Sequence, residues 1–228
     1  MALMRLLKKI WQGNREEYPR WRDEKGNFVG SRRLLVNGSR ATITGIARVA
    51  FGMRPELPWI SYDAIDMLRK HLKPDSRVLE FGSGMSTIFY AKHAGEVVSV
   101  EDNKVWFDSI SKVFKQNQVT NIAYSLAGTQ ADYVNAGVKA GGLYDLIMVD
   151  GSFRSDCIRV SLPLLASGGI IYLDNSDKHS SKLGGDTRLA EELLLEYASL
   201  NKCEVSSYSD FAPTQFFAQE GLSIKRLA

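Results

Sequence analysis

From about Trp59 onward the chain alternates between short apolar, β-prone runs and stretches with helical spacing. Strands are predicted over residues 77–81, 96–100, 121–126, 144–149 and 169–173, with helices over about 85–93, 104–116, 130–140 and 157–165 between them. Ahead of the first strand, Ser61 is placed to cap a helix that carries Ile65, Leu68 and Leu72. The run Tyr144 to Val149 is almost uninterrupted in apolar residues, as a strand buried on both faces of a parallel sheet should be. This alternation defines an α/β chain: a doubly wound, mostly parallel sheet with helices on both faces.

One junction organises the rest. Val78, Leu79 and Phe81 form a buried-strand run that meets Gly82 and Gly84, and Ser86 or Thr87 then opens a helix. The glycines allow a tight turn and close approach of a ligand, with Ser83 between them and free backbone N–H groups expected at the carboxyl edge of the sheet. A dinucleotide fingerprint asks for a third glycine where Thr87 stands, and Glu80 would repel a pyrophosphate but suits an ammonium group. Glu101 follows the second strand, 19 residues after Gly82, a spacing that suits ribose hydroxyls, although acids in that place also cap helices. Asp132 follows the third strand, either as an acceptor for an adenine amine or as part of a capped helix start. Asp150 ends the fourth.

Glu80-x-Gly82-x-Gly84, followed in order by Glu101, Asp132 and Asp150, resembles the class I S-adenosylmethionine-dependent methyltransferases over roughly residues 60–225. The resemblance implies a seven-stranded sheet whose last strand is antiparallel. Residues 202–208 and 214–218, joined by Ser209 to Pro213, match that closing pair. It also implies S-adenosylmethionine as cofactor, held by Glu80, Gly82, Ser83, Gly84, Ser86, Thr87, Glu101, Asp132 and Asp150. Asp150, Asp174 and Asn175 further resemble the magnesium triad of catechol-type O-methyltransferases, oxygen ligands suited to Mg²⁺. Where that subfamily has a lysine shortly after the first aspartate, this chain has Arg154, which stays protonated and instead suits an anionic group of the acceptor. Asp150 counts among the catalytic residues through that triad, and the base then falls to Lys178 or His179, of which histidine needs the smaller pKa adjustment. Two rivals stay open: another adenosine-ligand enzyme, aminopropyl transferase-like or NAD-dependent, and a non-catalytic binding module.

Composition adds bounds. A length of 228 residues with 44% hydrophobic content suits one domain, residues 59–228, plus an extension over residues 1–58. A net charge of +3 with mixed signs does not suggest a nucleic-acid partner, so a small-molecule acceptor is expected. Two cysteines, Cys157 and Cys203, fit a reduced, cytoplasmic chain, and no apolar run reaches a membrane span. Residues 1–12 set Leu3, Leu6, Leu7, Ile10 and Trp11 on one helical face beside Arg5, Lys8 and Lys9. That face suits an anionic membrane surface or a partner, and equally packing on its own domain or in a homodimer. Residues 13–58, with Arg15, Tyr18, Arg20, Trp21 and Arg22, suggest no fold of their own and form a candidate acceptor lid. So does the connector Ser180 to Gly185, before a helix over 186–200 whose stripe is Leu189, Leu193, Leu194 and Tyr197.

Overall fold

The computed structural model describes residues 18–178 and 184–227. His179, residues 1–12 and most of the 180–185 connector therefore lie outside the described residues. In chain order the elements are α1 (Ser31–Phe51), α2 (Tyr62–His71), β1 (Arg77–Phe81), α3 (Met85–His93), β2 (Glu96–Glu101), α4 (Lys104–Gln116) and β3 (Ile122–Leu126). They continue as α5 (Gln130–Val134), α6 (Ala136–Ala140), β4 (Tyr144–Val149), α7 (Arg154–Ser161), β5 (Leu165–Leu173), α8 (Gly184–Leu200), β6 (Cys203–Ala212) and β7 (Gln215–Arg226).

The seven strands form one sheet in the order β3-β2-β1-β4-β5-β7-β6. All neighbours are parallel except β7, which inserts between β5 and β6 and runs antiparallel to both. The expected doubly wound sheet with an antiparallel last strand is thus what the chain forms. Alternation along each central strand splits the core. Leu79, Phe81, Ile147, Val149, Ile171 and Leu173 pack on one face, whereas Val78, Leu146, Met148, Ile170 and Tyr172 pack on the other with α2 and Phe89. Strand order reverses between β1 and β4, so the crevice for a ligand opens beyond their carboxyl ends.

Several boundaries differ from the sequence reading. The expected helix over 130–140 is two short ones meeting at Asn135, and the helix expected at 157 begins at Arg154, with β5 starting already at Leu165. Ser209 to Ala212, expected to join the last two strands, belong to β6, and the turn is only Pro213 and Thr214, the latter at φ 65°. The hydrophobic pattern of 209–213 breaks because Asp210 points inward, buried against the α1 residue Asn37 at 2.5 Å. Burial pushes that carboxyl up to about 6.

α1 was not foreseen at all. Gly52, left-handed at φ 67°, ends it by donating to Arg48 O. Its amphipathicity is inverted: the face packed on β6 and β7 carries Asn37, Gly38 and Ala41, while large apolar residues point outward. The helix lies close over Phe211, whose ring is 3.4 Å from where a Cβ on Gly38 would stand. Before α1, residues 18–30 form a strap. Asp23, fully buried, accepts from the backbone N–H groups of Lys25 and Asn27 at 3.0 and 2.8 Å, which folds the strap on itself. Lys25 then bridges Glu191 of α8 and Glu220 of β7 at 2.7 and 2.6 Å.

Candidate functional site

The turn after β1 is held by its own side chains. Gly82, at φ 95°, donates to Val100 O at 3.0 Å; Ser83 N–H donates to Glu101 Oε2 at 3.2 Å; Gly84 N–H donates to Thr87 Oγ1 at 3.0 Å. The N–H groups expected to be free for a ligand are therefore engaged within the protein. The helix opens at Met85 with Gly84 as N-cap, one residue earlier than Ser86.

Glu80 lies beneath this turn, fully buried, and accepts from Ser86, Thr87 and Ser99 hydroxyls at 2.5, 2.6 and 2.7 Å. Burial raises its carboxyl from 4.5 to about 7; the three hydroxyls pull the other way and the charge of Asp150 adds to the rise. Unfolded, the group ionises near 4.5. In the native state it keeps its proton to about 7. Its contribution to stability is thus complete below about pH 4.5 and is lost as pH rises to about 7, an effect of about 3 kcal/mol. Glu80→Gln should flatten the denaturation free energy relative to the parent protein between those pH values; parallel curves for the two proteins would refute the assignment.

Glu101, also buried, receives the Ser83 hydroxyl at 3.0 Å on Oε2 and the N–H groups of Asp102 and Asn103 on Oε1 at 3.1 and 2.9 Å. It fixes the turn to the end of β2. Above the turn is a cavity of about 70 Å³ walled by Leu57, Trp59, Met85 and Trp106, with Gly82 to Gly84, Ser86 and Asp150 at its base. Trp106 Nε1 donates to Ser83 O at 2.7 Å, and the Arg54 guanidinium lies 5.9 Å from the Trp59 ring and 5.6 Å from that of Trp106. The tryptophans were not anticipated. Their only sequence signal is rarity, since the chain has four.

Across the switch point stand the ends of β4 and β5. Asp150, one-third exposed, faces the cavity, and Asp174 is buried beside it. Burial raises both carboxyls above the ordinary range; the Asp150 charge raises Asp174 further, and Arg154 opposes the rise in each. Asp174 Oδ1 is buried without a hydrogen-bond partner. Arg154, 5% exposed, is directed inward rather than toward an acceptor. Its nitrogens donate to Gly151 O at 3.0 Å, Asp174 O at 2.5 Å and Asp150 O at 3.1 Å, with Asp150 Oδ1 at 3.4 Å. This guanidinium is the cation that ties the two strand ends together. Asn175 follows in a left-handed turn at φ 52°. Among the described residues no three acidic, histidine or cysteine side chains converge as a metal cluster would.

The remaining predicted residues lie apart from the cavity. Lys178 is paired with Glu24 of the strap, whose N–H donates to Asp177 at 3.0 Å. Asp132 accepts from Thr129 Oγ1 at 2.8 Å and pairs with Lys139 at 2.6 Å, so it takes the capped-helix alternative. It borders a cleft along the edge of β3 instead of the glycine turn.

No protein-family model matches the chain, and no curated protein matches it by sequence. Solved structures do share its fold. An O-methyltransferase from Bacillus cereus in complex with S-adenosylhomocysteine superposes with a TM-score of 0.61 at 16% identity, covering 82% of this chain and 90% of that one. An O-methyltransferase of tomaymycin synthesis from Streptomyces achromogenes, in complex with S-adenosylmethionine, gives 0.60 at 17% identity over 88% and 97%. An rRNA methylase from Streptococcus thermophilus gives 0.55 at 16% identity over 72% and 93%. The chain thus has the fold of the class I S-adenosylmethionine-dependent methyltransferases.

Proposed function

We propose that the protein binds S-adenosylmethionine over the β1 turn and transfers its methyl group to an oxygen of a small-molecule or sugar-like acceptor. The observation that carries this reading is a cavity lined by the Gly82–Gly84 turn, Ser86 and Asp150 at the switch point of a methyltransferase-like sheet, with Glu80 and Glu101 bracing that turn from behind through Ser86, Thr87 and Ser83. Glu101 orients the turn, and Glu80 supplies the buried acid beneath the ligand's charged end. The cavity is far smaller than the roughly 300–1,000 Å³ of ligand pockets, so Trp59 and Trp106 must swing aside on binding. S-adenosylmethionine supplies an activated methyl carbon; the protein's own task is to align an acceptor oxygen with it and remove a proton. Asp150 suits proton removal best, being the ionisable group that faces the cavity, with its carboxyl raised by burial. Lys178, held by Glu24, is less suited. The donor set does not fit Mg²⁺, because the Arg154 guanidinium already lies against Asp150 and the backbone oxygen of Asp174. We infer a metal-independent reaction.

Thermal shift tests the cofactor. S-adenosylhomocysteine at about a hundredfold its Kd should stabilise the protein by about 2.7 kcal/mol, and NAD should not. A shift with NAD alone would sink the reading. A screen of hydroxylated small molecules and of RNA then identifies the acceptor, and chelation should leave the transfer rate unchanged.

A further inference from the structure

We propose that the outward face of α1 docks on an anionic bilayer surface. Leu35, Val36, Ile43, Ile46, Val49 and Phe51 lie along this face, each between 51% and 89% exposed. Ser39 and Thr42, also exposed, interrupt the strip, yet six large apolar side chains more than half exposed on one helix mark it as a contact. Its length suits a membrane contact parallel to the surface rather than a span: no helix among the described residues is long and apolar enough to cross a membrane.

Charge selects the partner. Residues 31–54 contain five arginines and no acidic residue, and residues 1–54 hold twelve basic against four acidic side chains while the rest of the chain holds seventeen against twenty-two. The whole-chain charge of +3 hides this division. Arg32 is exposed on the apolar face; Arg40 and Arg48 flank it over the rings of Tyr62 and Trp59, which shields their stems without neutralising them. Arg33 pairs with Asp63 of α2. A second copy fits less well, since a two-fold contact would set arginines against arginines with no carboxylate on the segment to answer them. Anionic headgroups answer them directly, and acyl chains take the apolar residues. The helix end continues through Arg54 to Trp59 and Trp106, so the contact adjoins the cavity.

Flotation of the full chain tests this independently of any methyl transfer. Vesicles of phosphatidylcholine and phosphatidylglycerol in equal parts should bind it, and phosphatidylcholine alone should not. Ile43→Ser with Ile46→Ser removes apolar surface and no charge, at positions 66% and 60% exposed where an unchanged melting temperature verifies folding. This pair should lower the bound fraction at least about tenfold. Three results would overturn the proposal: no preference for the anionic vesicles, loss with Lys8→Glu and Lys9→Glu but none with the isoleucine pair, or a lipid-free dimer that the isoleucine pair dissociates.

Discussion

Arg154→Met should destabilise the protein by about 4 kcal/mol in reversible denaturation, the size expected when one partner of a buried charge pair is removed. The side chain is 5% exposed and three of its nitrogens reach backbone carbonyls at the ends of β4 and β5. Methionine conserves much of the volume, so the loss measures charge and hydrogen bonds rather than a cavity. Asp150 and Asp174 would lose the cation that opposes the rise in their pKa values, leaving three carbonyl oxygens without donors as well. Arg154→Lys should recover only part of the deficit, because a point charge cannot fork across two strand ends. A methionine variant within about 0.5 kcal/mol of the parent protein, the ordinary range for surface changes, would show that Arg154 is not the tie described.

The sheet was legible because its strands are buried on both sides. Central strands such as β4 then read as short, β-prone apolar runs set apart by the helical stretches that alternate with them. The glycine turn and Glu101 were legible for a similar reason, since glycine and a carboxylate at a fixed offset are demanded by backbone geometry. What failed was any inference from a side chain's chemistry to its direction. Arg154 read as a clamp for an acceptor because a sequence does not say whether a guanidinium faces inward, and Asp132 stayed open between an adenine acceptor and a capped helix start because a sequence does not show Thr129 and Lys139 closing on its carboxylate. α1 was not read as a helix because Gly38, Gly45 and the β-branched Thr42 and Thr44 lower its helix propensity and break the stretch into turns and short apolar runs. There the inner face carries Asn37, Gly38 and Ala41, with the Phe211 ring within contact distance of a Cβ at Gly38, while the large apolar residues point outward.

Gly82→Ala is the sharper test of the turn itself. At φ 95° an alanine carries left-handed backbone strain of about 1–3 kcal/mol. Its Cβ would also stand 2.9 Å from both Cα and N of Gly151, atoms of a backbone that cannot rotate away. Moving the β4 turn to make room costs about 1–3 kcal/mol more, so a total near 4 kcal/mol is expected. The displacement would carry Asp150 off the base of the cavity, and S-adenosylhomocysteine should bind about a hundredfold more weakly in calorimetry. Gly84→Ala supplies the comparison. Gly84 is extended at φ −179°, and a Cβ there would meet nothing nearer than Ser86 Oγ at 3.5 Å. That variant should stay within about 0.5 kcal/mol of the parent protein. Equal losses at the two glycines would mean that the turn tolerates no side chain anywhere, and that the contact between Gly82 and Gly151 has no special part in shaping the site.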